Sequence, residues 1–313
     1  MARLIDELRI AAGIKKPRCV VPEKLNAWRD HAKHLWGLIE DHGEQMPVIV
    51  ADNVADYYFQ GTGQEMWNIV NDFPNISPPY PVYWLEHNLP KQIHSEDGDT
   101  DLRDLPLDGA RVGWLVITVP VADAKGEGIP AEAKWICMAD HFYGWGAGND
   151  RLIEGPHGAM VFPIDGKGQA MEAPCMHTFT RGTAEDEHMA KCMMGGLNVV
   201  LLTLSFLHCK NVKVVDNPVP PKLAKRYAER HGGHRPTGFK TLVIEPLKQV
   251  LRNVGGSEKN GIAKAMHICR GQFWDYREGP GLFGKLNMLV WHEAHIRGTR
   301  GKKAAPRELK VKL

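Results

Sequence analysis

The sequence predicts an α+β fold: a mostly antiparallel sheet packed on a buried central helix, followed by a basic, β-rich C-terminal part. Three observations point there. Short apolar runs of strand length recur between residues 47 and 163, separated by Pro- and Gly-rich connections. One longer run, Met193 to Leu207, is apolar on nearly every side, as a helix covered all round must be. The net charge of only +2 conceals a division. Residues 1–208 carry 17 Lys and Arg against 29 Asp and Glu, a net of −12, whereas residues 209–313 carry 22 against 8, a net of +14. Two domains are therefore expected, an acidic α+β domain over 1–208 and a basic β-rich module with a tail over 209–313.

The first readable element is a helix over 23–42. Leu25, Trp28, Ala32, Leu35, Trp36 and Ile39 recur at three and four, giving it one apolar face. Strands follow at 47–51 and, after the proline cluster at 74–81, at 82–86. Three more, at 111–121, 134–140 and 159–163, have the spacing of an antiparallel meander. Residues 97–108 form an acidic, solvated loop. Thr183-Ala-Glu-Asp186 resembles a capping box, its acids at the positive end of the dipole, and it starts the central helix that runs to about His208. Met189, Met193 and Met194 then belong to the core. The basic part holds a strand at 212–215, the breaker Pro218-Val-Pro-Pro221, a short basic helix at 222–230 and a turn at His231-Gly-Gly-His234. Strands at 239–245, 265–276 and 286–296 complete it.

Several classes are excluded. Charges stand in the first nine residues where a signal peptide needs its apolar core. The Met193–Leu207 run is too short for a bilayer and is interrupted by Gly195, Gly196 and Asn198, so no membrane is expected. The six cysteines are scattered without Cys-x-x-Cys pairs, which fits reduced thiols and a cytoplasmic setting. Gly279-x-x-x-x-Gly284-Lys285 has Leu286 where a P-loop needs Ser or Thr, and a strand follows where a helix belongs, so a hairpin connection is expected. His292-Glu-Ala-His295 lacks zinc-protease spacing, and His231 and His234 fit a solvated turn. Neither a metal nor a cofactor is expected.

The candidates that remain are basic and aromatic. On a strand His267, Cys269, Gly271 and Phe273 share one face, and Ile268, Arg270, Gln272 and Trp274 the other. Arg270 suits bidentate phosphate contact, and Trp274 or Tyr276 can stack on a base; the competing possibility is a buried strand whose Arg pairs with a carboxylate. Lys222, Lys225, Arg226 and Arg230 fall at helical spacing, and Arg297, Arg300, Lys302 and Lys303 begin a flexible basic tail. Both patterns suit a phosphate backbone. With Lys285 these residues are the expected nucleic-acid contacts. His267, Arg270 and Tyr276 are also the only catalytic candidates, as a metal-independent ribonuclease in which Arg stabilises the phosphorane and His and Tyr move protons.

The run His267-x-x-Arg270-Gly271-x-Phe273-x-x-Tyr276, then Leu282-Phe-Gly-Lys285, then a strand ending His295-Ile-Arg-Gly298, resembles a C-terminal module found in proteins of phages, prophages and plasmids. It is similar to the C-terminus of the type V-A anti-CRISPR family, and the apolar helix leading into Asn211-Val212, together with Phe239–Glu245, sits where that family has its central helix and next strand. The resemblance implies a mobile-element protein that acts in the host cytoplasm against host defence, lowering a target nuclease through its message during translation. Gln272 departs from it, since that position is often His; Gln cannot transfer protons at neutral pH. The expected function is counter-defence, with the basic part binding RNA or a ribonucleoprotein. The alternatives are the ribonuclease and an inhibitor that binds a host defence protein, its acidic part mimicking nucleic acid. An oligomer is compatible with each.

Overall fold

The computed structural model describes residues 3–14, 26–42, 45–60, 72–88, 110–124, 129–145, 152–154, 156, 158–172, 175–178, 184–244, 267–269, 272–282, 284–292 and 295–297. Arg270, Gly271, Arg300, Lys302, Lys303, Thr183 and the loop 97–108 lie outside these, and His267 and Arg297 are described by backbone alone. The chain divides into two compact units, Met1–Leu207 with Val214–Leu242, and His208–Lys213 with Val243–Leu313. Residues 214–242, assigned by charge to the basic part, thus pack with the first unit.

The fold is α+β. Helices α1 (Leu4–Ile14), α2 (Asn26–His42), α3 (Asp52–Gln60), α4 (Ala184–Leu207) and α5 (Pro221–Arg230) accompany strands β1 (Val48–Val50), β2 (Val82–Asn88), β3 (Arg111–Pro120), β4 (Ala133–Trp145), β5 (Leu152–Glu154), β6 (Gly158–Asp165), β7 (Cys175–Thr178), β8 (Val212–Asn217) and β9 (Phe239–Ile244). Among the described residues these strands form one sheet in the order β7-β6-β4-β3-β2-β1-β9-β8, with β5 added on β4. From β2 to β7 every pairing is antiparallel, as the meander requires. The sheet as a whole is mixed, however, because β1 runs parallel to both β2 and β9. Parallel neighbours need a crossover between them, and α3, a nine-residue helix between β1 and β2, lies within that connection.

Strand alternation sends Trp84, Leu115 and Phe142 to one face of the sheet and Leu85, Trp114 and His141 to the other. The first face is covered by α1 and α2: Leu4, Ile5, Leu8, Leu35, Trp36 and Ile39 pack with Val48, Val50, Trp84, Leu115 and Phe142. On the second face α4 brings Gly196 against Trp114, where an added Cβ would stand 2.8 Å from the indole. Only a glycine permits that approach. Asn198 of α4 donates to the Tyr58 hydroxyl of α3 at 2.9 Å, which joins the two helices on this face. Met193, Leu197, Val199–Leu202, Leu204 and Phe206 are all fully buried, as a helix without a polar stripe demands.

A buried ionic cluster docks α1. Glu86, fully enclosed on β2, accepts from the Leu4 backbone N–H at the start of α1 and from the Trp84 indole, each at 3.0 Å. Its other oxygen faces the Arg111 guanidinium at 3.0 Å and that of Arg3 at 3.6 Å. A second tie lies further along the helix. Asp6 accepts from both the backbone N–H and the hydroxyl of Thr237 at 2.8 Å, and Arg9 donates to the Arg235 carbonyl at 2.9 Å. Burial pushes the Asp6 carboxyl up, against the opposing pull of the Thr237 bonds.

In the second unit β10 (His267–Cys269) pairs with β13 (His295–Arg297), and β11 (Gln272–Asp275) with β12 (Leu289–His292), both antiparallel. These fall on the strands expected at 265–276 and 286–296, of which the intervening residues 270, 271, 293 and 294 lie outside the described residues. Within their described residues the two ladders have the same register. Asn211 braces β12 from outside: its amide donates to the Trp291 carbonyl at 2.8 Å and accepts from the Trp291 N–H at 2.9 Å. Lys210 N–H adds a bond to the Leu289 carbonyl at 2.9 Å.

Candidate nucleic-acid interface

Two surfaces carry those singled-out residues whose side chains are described, one in each unit. In the first, Pro220 and Pro221 end the preceding extended chain, and Pro221 opens α5, where a missing N–H costs nothing. Ala224, Tyr227 and Ala228 are half-buried on the inner side, and burial, with the Asp6 and Glu7 carboxylates, pushes the Tyr227 hydroxyl up to about 12. Lys222, Lys225, Arg226 and Arg230 are exposed on the outer side, and none makes an ion pair with a described residue. The row Lys222, Arg226, Arg230 advances four residues at a time, about 6 Å per step along the axis. That is close to the separation of successive phosphates on one nucleic-acid strand. Arg230 in the last turn also complements the helix dipole. The helix ends in a positive-φ turn at Gly232 and Gly233 that carries His231 and His234.

The second surface is the β11–β12 hairpin. Gln272, Trp274 and Tyr276 share one side of it with His292, by alternation and register. The Trp274 and His292 rings stack with centroids 3.9 Å apart and planes 28° apart, and Tyr276 meets Trp274 edge-on at 5.9 Å. All three rings are part-exposed and Gln272 is exposed. The opposite side is core: Phe273 packs on the fully buried Trp291. Burial raises the Tyr276 hydroxyl. Arg277, whose Nε and Nη2 grip Asp275 at 3.0 and 2.7 Å, holds that carboxyl below its ordinary range.

The connection beyond Tyr276 runs through Gly281, Leu282 and the exposed Lys285 to Leu286, and Leu282 N–H donates to the Leu286 carbonyl at 2.8 Å. The G-x-x-x-x-G-K stretch is therefore a hairpin loop between two strands, with no helix to receive a phosphate. Ring stacking by His292 was not legible in the sequence, where its only signal was a failed metal motif.

Of the catalytic candidates, Arg270 lies outside the described residues and His267 is described by backbone alone, so Tyr276 is the one whose side chain is placed. His267 lies on β10, and Tyr276 follows β11, where its N–H donates to the Met288 carbonyl at 2.9 Å. Among the described residues no three His, Cys, Asp or Glu side chains are grouped to hold a metal, and no helix is long and apolar enough to cross a membrane. No protein-family model, no curated protein and no solved structure matches the chain.

Proposed function

We propose that this chain is a mobile-element counter-defence protein that binds RNA, alone or in a ribonucleoprotein, with helix α5 as a backbone-binding element. The observation that carries the RNA reading is the exposed row Lys222, Arg226, Arg230, flanked by Lys225 and free of acidic partners among the described residues. Cations displaced from phosphates dominate such binding, so it is indifferent to sequence and steeply sensitive to salt. The counter-defence role is supported by the resemblance of residues 267–298 to the phage module. A ribonuclease built on His267, Arg270 and Tyr276 would need their tips on one phosphate, and strand alternation, which sends His267 and Arg270 to opposite faces, opposes that.

The test is binding of a fluorescent single-stranded RNA to the full chain between 50 and 200 mM salt (roughly the range over which phosphate contacts show). The triple variant Lys222→Ala, Arg226→Ala, Arg230→Ala should flatten the plot of log affinity against log salt by about 2, since each lost single-strand phosphate contact removes about 0.7. An unchanged slope would sink the assignment of α5. Failure of the wild-type chain to bind any RNA, together with nuclease-insensitive capture of one host protein, would replace the proposal with protein-binding inhibition.

A further inference from the structure

The three rings on the β11–β12 hairpin go beyond a backbone contact. We infer that Tyr276, Trp274 and His292 form a stacking platform for an unpaired base, so that the nucleic acid bound by this protein is recognised in single-stranded form. This inference rests on the RNA reading above and specifies its substrate.

On the opposite side of the hairpin Trp291 is fully buried and Phe273 packs against its ring. On the platform side the aromatics are left part-exposed and already ordered against one another, with His292 parallel to Trp274 at stacking distance and Tyr276 bracing the indole by its edge. A base joining this pile adds one more ring to an existing stack and meets side chains whose rotamers are fixed in advance. Duplex RNA cannot use it, because its bases are stacked inside the helix; a loop, bulge or end can. Gln272 stands level with His292 across the hairpin and is exposed, so its amide has both a donor and an acceptor to offer the edge of a stacked base. Lys285, in the loop beyond Tyr276, supplies the charge for an adjoining phosphate.

The experiment measures binding of the full chain to a labelled single-stranded RNA and to a duplex of the same length, at one salt concentration. The wild-type chain should prefer the single strand. Trp274→Leu should weaken single-strand binding by about 5- to 150-fold, the range reported by removal of one stacked base contact, and leave duplex binding within about 2-fold. Trp274→Phe, which keeps a ring, should retain most of the affinity. Gln272→Ala changes an exposed residue without touching the hairpin core, and should cost about 2- to 12-fold on the single strand, one hydrogen bond's worth. Equal binding of both forms, or single-strand affinity unchanged in both Trp274→Leu and Gln272→Ala, overturns the platform while leaving the backbone contact at α5 intact. Absence of binding to either RNA overturns both.

Discussion

Removing the carboxylate of Glu86 is the sharpest probe of how the first unit is held together. In Glu86→Ala the Leu4 N–H and the Trp84 indole lose their acceptor, and the Arg111 and Arg3 guanidiniums lose their counter-charge. Arg111 retains the Asn88 side-chain oxygen at 2.9 Å and Asp52 at 3.4 Å, so its loss is partial, but its side chain stays buried. Breaking a buried pair from one side costs about 3–5 kcal/mol, because an uncompensated charge remains inside. For a domain of roughly 200 residues each kcal/mol moves Tm by about 2–4 °C, so a fall of about 6–20 °C is expected by circular dichroism. Amide exchange should quicken first in α1, since Leu4 is the residue released. The double variant Glu86→Leu, Arg111→Met, which removes both charges and keeps apolar volume, should recover much of the loss. A Glu86→Ala shift below about 1 kcal/mol, or a double variant less stable than the single one, would refute the view that this cluster docks α1.

Adjacent glycines in α4 should respond with opposite signs. Gly195→Ala meets nothing within 4 Å and should stabilise by about 0.5–1 kcal/mol through helix propensity, whereas Gly196→Ala drives a Cβ to 2.8 Å from Trp114 and should destabilise by about 1–3 kcal/mol in urea titrations. His87, its pKa lowered to about 4 chiefly by burial, is neutral in the folded chain and takes a proton near 6.5 when unfolded. The unfolded state therefore binds more protons between those values, and stability should fall by up to about 3 kcal/mol as pH drops from about 6.5 to 4. His87→Leu should flatten that slope; an identical slope in wild type and variant would assign the acid sensitivity to other groups.

What the sequence showed and what it hid divide along physical lines. The burial of α4 was legible because fifteen nearly continuous apolar residues admit one solution in water, and the basic face of α5 because its cations repeat at helical spacing. α1 was hidden, since Asp6 and Arg9 point inward and are satisfied by Thr237 and Arg235, far away in the chain. The parallel setting of β1 was hidden too; a three-residue strand looks the same in either direction until its neighbours are known. On the hairpin, periodicity put Trp274 and Gln272 on one side, as observed. It could not bring in His292, which reaches Trp274 only through a register set by the turn between them.

The tie between Asp6 and Thr237 has a consequence in time. Its partners are 231 residues apart in the chain, so Asp6 leaves the ribosome long before the threonine that will enclose it. At translation rates of about 5–20 residues per second the delay is roughly 10–50 s, far longer than helix formation needs. Once β2 and β3 have followed, the apolar side of α1 can rest on them, held at one end by Glu86 and still open at the other. The segment that follows the cationic helix closes the earliest part of the domain, so this basic element is set in place only as the nascent domain is sealed.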